Sequence, residues 1–111
     1  MGESEFLAQA EATLSAIEAA LDRLNDQELL DVECSRSGNV LEIEFIDNGS
    51  KIIVNSQAAM QELWVAARAG GFHYKQQGGL WCNTRDGSEL FAALSGLVSA
   101  QAGATVVLAQ G

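Results

Sequence analysis

The spacing of apolar residues changes twice along the chain, and this change limits the possible folds more than any other feature. Over residues 4–24 the apolar residues recur every three or four positions, which is typical of an amphipathic helix. Over residues 30–84 they alternate with polar residues, as in strands with one buried face. A second helical period follows over residues 88–101. The sequence therefore predicts one helix, a series of strands, and a second helix.

Each predicted helix has a defined inner stripe. The stripe of the first helix contains Phe6, Leu7, Ala10, Leu14, Ile17, Leu21 and Leu24. The stripe of the second helix contains Leu90, Phe91, Leu94, Leu97 and Val98. Asp86 is predicted to cap the second helix, with Glu89 three residues later completing a capping box.

Six short strands are predicted between the helices. They cover residues 30–35, 41–45, 51–55, 63–68, 72–76 and 80–84. Asn48-Gly49 between two of these runs is a strong hairpin signal, and the other connections are also short. We therefore predict a mainly antiparallel sheet with two helices on one face, a two-layer α+β sandwich in a single domain over residues 1–111.

Charge is distributed unevenly along the 111 residues, which carry a net charge of −9. Residues 1–47 hold 12 of the 15 acids and two bases, whereas residues 48–111 hold three acids and four bases. Such a field repels nucleic acid and anionic membranes and attracts cations and basic surfaces. The chain also has no apolar run of about 20 residues and no signal-peptide pattern at its start. We expect a cytoplasmic protein that binds neither nucleic acid nor membranes.

Seven acids are predicted to form one acidic ridge, which runs along a flank of the first helix and through the following loop into the first strand. They are Glu11, Glu18, Asp22, Asp26, Glu28, Asp31 and Glu33. A charge run is often a solvated face, but bases do not intersperse these acids, and Glu18 repels Asp22 one turn away. Clustered carboxylates suit hard cations such as Ca²⁺, Mg²⁺, Mn²⁺ and iron ions. On an open surface, such binding should be weak and hydrated.

The remaining candidate residues are aromatic, polar or thiol side chains. Trp64 lies between two apolar residues and is predicted to face the open side of the sheet, as a partner anchor or as a ring covered by its neighbours. Asn55 and Gln57 should lie on the same surface. His73 should face outward beside Trp64, as a structural residue or as a weak metal or haem contact. Phe45, Trp81, Phe91 and Leu94 are predicted core residues, and Cys34 and Cys82 are predicted inert thiols.

Several segments resemble the bacterial frataxin family. The central match is Asn48-Gly49-Ser50-Lys51-Ile52-Ile53-Val54-Asn55, followed by Leu63-Trp64-Val65-Ala66 and Gly70-Gly71-Phe72-His73-Tyr74. Ser4-Glu5-Phe6, Leu80-Trp81-Cys82 and Arg85-Asp86-Gly87 fit the same pattern. The resemblance covers essentially the whole chain and implies the same helix–six strands–helix order.

The resemblance implies weak binding of Fe²⁺ and Fe³⁺ on the acidic ridge and a role in iron–sulfur cluster assembly. It implies a regulator of the cysteine desulfurase and leaves a role as iron chaperone open. We expect a monomer, with iron-dependent oligomers also left open. The ridge residues that match best are Glu18, Asp22, Asp31 and Glu33, and they would dock on a basic patch of the desulfurase. Trp64 would contact the scaffold protein. Arg23, Asn25 and Leu29 stand where the family often has further acids.

Two other classes of function use the same charge. A carboxylate enzyme, such as a hydrolase or a ferroxidase, would need acids in a cleft, and no Ser-His-Asp or Cys-His set is evident in the sequence. An acidic mimic of nucleic acid would occupy the groove of a DNA-binding protein, but it assigns no role to Trp64. We favour a non-catalytic adaptor.

Overall fold

The change of apolar period marks the element boundaries closely. The structure is a computed structural model that describes residues 1–110, so Gly111, the last residue of the predicted domain, lies outside the described residues. The elements are α1 (Glu3–Asp26), β1 (Val32–Ser37), β2 (Val40–Phe45), β3 (Lys51–Gln57), β4 (Glu62–Ala67), β5 (Gly70–Gln77), β6 (Leu80–Asn83) and α2 (Leu90–Ala102). Within residues 1–110, neither helix has the length and apolarity that crossing a bilayer requires.

The six strands form one sheet in the order β1-β2-β3-β4-β5-β6, and each strand is antiparallel to the next. This arrangement confirms the predicted meander and places β1 at an edge. Alternate residues are buried along the strands, and the register aligns Leu41 with Val54 and Val54 with Val65. We call the side that carries these apolar residues the buried face, and the side that carries Trp64 and Asn55 the open face.

One hydrophobic cluster joins the buried face to both helices. α1 contacts β1 and β3, and α2 contacts β6. Trp81 on β6 packs edge-on against Phe6 of α1, with ring centroids 5.9 Å apart, and its indole N–H donates to Oγ1 of Thr13 at 2.9 Å. The four predicted core residues are buried, as expected: Phe45, Trp81, Phe91 and Leu94.

Two predictions about the helices are wrong. Leu7 is 45% exposed, because the buried stripe of α1 centres on Ile17 and Leu7 lies about 80° away from it, on the acidic side. Asp86 does not cap α2 either. The cap is Glu89, whose carboxylate accepts from the backbone N–H groups of Phe91 and Ala92. Asp86 instead accepts from the backbone and hydroxyl of Ser88, within the turn that precedes the helix.

The segment after α2 is fixed to both helices. Val106 and Leu108 are buried, and their backbone groups bond to the hydroxyls of Ser99 and Ser95. The guanidinium of Arg23 on α1 donates to the carbonyl of Ala109 at 3.0 Å. One of the two bases in the acidic N-terminal part is therefore directed towards the C-terminal segment.

Candidate functional site

The helix acids of the predicted ridge lie beside the edge strand β1. Arg36, on the same side of β1 as buried Val32, reaches α1 and pairs with Glu11 through Nη2 and with Glu18 through Nη1, the latter at 3.4 Å. The expectation that no base intersperses the ridge is therefore wrong at Arg36. The sequence separation of 18 residues between Arg36 and Glu18 hides this pairing until α1 is packed on β1. The upper part of the ridge is partly neutralised.

Cys34 lies on β1, close to the ridge acids Glu18 and Asp22 of α1. The pKa of the Cys34 thiol is raised to about 12, mainly because the thiol is partly buried and further because Asp22 and Glu18 are negatively charged. The two helix acids therefore act on the same strand position. Because the thiol stays protonated at neutral pH, it is a poor nucleophile and a poor metal ligand. This supports the prediction of an inert thiol at Cys34.

The lower end of the ridge is held by an asparagine. Both polar atoms of the Asn25 side chain bond to the backbone of Val32, Oδ1 accepting at 3.1 Å and Nδ2 donating at 2.8 Å. The end of α1 is thus fixed to the start of β1. Asp26, the last residue of α1, and Glu28 and Asp31 in the loop that follows lie between these two points. Asn25, which stands where the family often has a further acid, therefore holds the neighbouring acids in place.

A cleft of about 450 Å³ opens beside this loop, and three acids line it: Glu28, Asp31 and Asp47. Asp47 comes from the β2–β3 turn, and sequence reasoning did not include it in the ridge. The position of Asp47 beside Asp31 follows from the pairing of β1 with β2. Val32 pairs with Phe45, so the residue before Val32 and the residues after Phe45 meet at the same end of the hairpin. The backbone bond from Ile46 to Asp31 at 3.2 Å shows this proximity.

Glu33 lies on the other side of β1 from Cys34, because successive strand residues point to opposite faces. It pairs in register with Glu44, and Glu44 pairs with Lys51. The ridge therefore turns around the sheet edge at Glu33 instead of following a single plane. From here we use the name acidic edge for the ridge acids that make no ion pair within residues 1–110. These are Asp22, Asp26, Glu28, Asp31 and Glu33.

The carboxylates do not converge on one point. Among the described residues, no group of three or more His, Cys, Asp or Glu side chains is arranged to hold a metal ion. The acidic edge offers separated oxygen ligands along a surface.

The open face brings the other predicted residues together. Asn55 pairs in register with Trp64, and Trp64 pairs with His73. The indole and imidazole rings are stacked, with centroids 4.4 Å apart and planes 7° apart. Gln57 pairs with Glu62, a buried acid that sequence reasoning missed. The predicted position of His73 beside Trp64 is confirmed, and Trp64 is half-buried, not fully exposed.

The fold and surface together define a class of protein: a small α+β domain with an acidic sheet edge. A family model described as "Frataxin-like domain" matches residues 1–104. The iron-sulfur cluster assembly protein CyaY of Janthinobacterium sp. (strain Marseille) is 74% identical over 108 residues, covering 97% of this chain and 96% of the relative. The CyaY protein of Cupriavidus taiwanensis is 61% identical over 106 residues, covering 96% and 95%.

The solved structure of frataxin from Psychromonas ingrahamii gives a TM-score of 0.88 at 30% identity and covers 98% of this chain and 99% of that one. The chain therefore belongs to the frataxin-like family. The resemblance inferred from the segments around Asn48–Asn55 and Trp64 is confirmed.

Proposed function

We propose that this protein is a non-catalytic, iron-binding adaptor of iron–sulfur cluster assembly that regulates the cysteine desulfurase in the cytoplasm. The observation that carries the proposal is the acidic edge, a row of carboxylates without an ion pair in the described part of the chain, on a member of the frataxin-like family. Its curated relatives are named iron-sulfur cluster assembly proteins. The same edge suits iron ions and a basic protein surface, because both are attracted to clustered negative charge.

Iron is the proposed cargo of the acidic edge. Carboxylate oxygens are hard ligands that suit Fe²⁺ and Fe³⁺. Because three such ligands do not converge within the described residues, a bound ion keeps most of its water and binds weakly. Asp31 and Glu28, which share the acidic cleft with Asp47, are the ridge residues best placed for this role. Delivery of iron to a partner requires such weak binding.

The desulfurase docks on the acidic edge, and the iron–sulfur scaffold protein contacts the open face around Trp64, Asn55 and Gln57. This assignment of partners assumes that both helices cover the buried face of the sheet, so that the open face remains free to bind a partner. The edge strand β1 then lies between the two contact surfaces. One monomer would thus contact both partners, and iron-driven oligomers would use the same carboxylates.

Docking through exposed charge has two physical consequences. Attraction between oppositely charged surfaces accelerates association. Salt weakens this attraction, because exposed charges are screened over about 8 Å at physiological ionic strength. Iron bound at the acidic edge neutralises part of the docking charge. The amount of bound iron would therefore regulate desulfurase binding.

The test is a charge reversal with a matched control. The double variant D22K/D26K changes the net charge by the same amount as E3K/E5K in the first turn of the same helix. Lysines near the end of α1 suit the helix dipole, so the test variant should fold at least as well as the control. Circular dichroism checks folding, and titration calorimetry measures binding to the desulfurase.

We expect D22K/D26K to weaken desulfurase binding by about tenfold or more and E3K/E5K to weaken it by much less. The difference between the variants should shrink as salt is added. Equal affinities for the two variants would contradict docking at the acidic edge. Turnover of a substrate that is lost with one edge acid would instead indicate an enzyme.

A further inference from the structure

Glu62 is a carboxylate in an unexpected place. It is the first residue of β4 and lies on the open face, in register with Gln57, yet only 5% of it is exposed. Burying an ionised carboxylate is costly unless hydrogen-bond donors or opposite charges compensate it. The residues that surround Glu62 must therefore supply that compensation.

Three side chains from two strands lie close to the Glu62 carboxylate, and one of them donates a hydrogen bond to it. The indole N–H of Trp64 donates to Oε1 at 2.8 Å, and Nδ1 of His73 lies 3.4 Å from the same oxygen. Nζ of Lys75 lies 3.9 Å from Oε2. Oε1 accepts the indole hydrogen bond, and Oε2 forms a long ion pair with the half-exposed Lys75. Glu62 therefore has partners within the protein, in contrast to the carboxylates of the acidic edge.

The arrangement restricts what Trp64 can offer to another molecule. Its single polar atom is used by Glu62, and one face of its ring is covered by the stacked ring of His73. The part that remains available is the outer carbon surface of the indole. A hydrogen-bond acceptor on a partner would find the indole N–H occupied.

We propose that Glu62 is a positioning residue for Trp64, and that it makes the exposed part of Trp64 an apolar contact. Glu62 fixes the indole by accepting its N–H, so the ring meets a partner in one orientation. The partner therefore supplies an apolar or aromatic side chain at this point and needs no acceptor for the indole. The statement about Glu62 stands on the structure alone, whereas the statement about the partner rests on the proposed function.

Indole NMR signals test the first statement without any partner. In a ¹⁵N–¹H spectrum the chain gives two indole N–H signals, and the W64F variant assigns them by removing one. We expect E62A to shift the Trp64 signal and to accelerate its exchange with solvent, whereas E62Q, which retains an acceptor oxygen, should keep it near its original position. The Trp81 indole N–H, which donates to Thr13 inside the core, is the internal control.

Two results would overturn this role. One is an unchanged Trp64 signal in E62A alongside an unchanged Trp81 signal. The other is an equal shift in E62A and E62Q, which would show that charge and not a hydrogen bond sets the environment of the ring. Should E62A unfold, the Trp81 signal would collapse as well, and the exchange rate of Trp64 in E62Q against an E62L variant would decide in the same way.

Binding to the iron–sulfur scaffold protein tests the second statement. We expect W64A to weaken binding by about 30-fold and W64F, which keeps an aromatic surface but lacks the N–H, by only about threefold. A W64F variant as weak as W64A would overturn the apolar contact. Failure of the unmodified protein to bind the scaffold would contradict the proposed function and this contact together, while the NMR result would still decide the role of Glu62.

Discussion

The acidic edge and the open face treat the same chemical group in opposite ways. Asp31 and Asp22 at the edge are exposed and make no ion pair within residues 1–110. Glu62 on the open face is buried and engaged by Trp64, His73 and Lys75. A carboxylate of the first kind is available to an outside cation, whereas one of the second kind shapes its own neighbours. The number of acids in the sequence is therefore a poor measure of the acids that can bind a ligand.

The largest expected effect of this contrast is on stability. Replacing Glu62 by Ala removes a buried acceptor and leaves the indole N–H and Lys75 without their partner, which should cost about 1–3 kcal/mol of unfolding free energy. Replacing Asp31 by Ala should change that free energy by no more than about 0.5 kcal/mol, because its side chain is exposed. Urea denaturation of both variants measures the two values. Equal losses would show that the two carboxylates do not differ in kind.

The strands and the family were accessible from the sequence because they depend on local patterns. Alternation predicted all six strands, and only their ends moved, for example from residue 30 to Val32 at β1, where Asn25 bonds to the backbone. The residues around Trp64 predicted the family, and the position of His73 followed from simple alternation.

The ion pairs of the acidic residues could not be predicted from the sequence, because they depend on how the helices and strands pack. Arg36 meets Glu18 only when α1 lies against β1, and no sequence period encodes that crossing. Glu62 occupies a position where alternation predicts a solvated side chain, and long neighbours on β5 bury it instead. Predicting which acids of a charged segment stay free therefore requires the packed structure.

An intermediate effect is expected from Arg36. Its ion pairs with Glu11 and Glu18 give these two ridge acids a partner within the protein, as Glu62 has on the open face. The R36Q variant removes the cation that pairs with Glu11 and Glu18 and leaves both carboxylates free. We expect about threefold tighter desulfurase binding and stronger Fe²⁺ binding, with broadening of backbone NMR signals extending to residues 11–18. The K51Q variant is the matched control, since Lys51 pairs with Glu42 outside the ridge. Tighter binding in both variants would indicate an effect of net charge alone. Unchanged binding in R36Q would show that Arg36 does not limit binding at Glu11 and Glu18.

The smallest expected effect lies at Cys34, where the negative charge of the acidic edge reaches a half-buried thiol. The raised thiol pKa means that, above the ordinary value of 9.0, the unfolded chain loses this proton before the folded chain does, so Cys34 lowers stability as the pH rises from about 9 towards about 12. Burial is the main cause and Asp22 a secondary one, so D22N should lower the pKa only slightly. We expect alkylation of Cys34 at pH 9 to become about two- to fivefold faster in D22N, with Cys82 unchanged as the internal control. If D22N left the alkylation rate of Cys34 unchanged, the charge of Asp22 would not reach β1, and the acidic edge would be a set of separate side chains without a shared field.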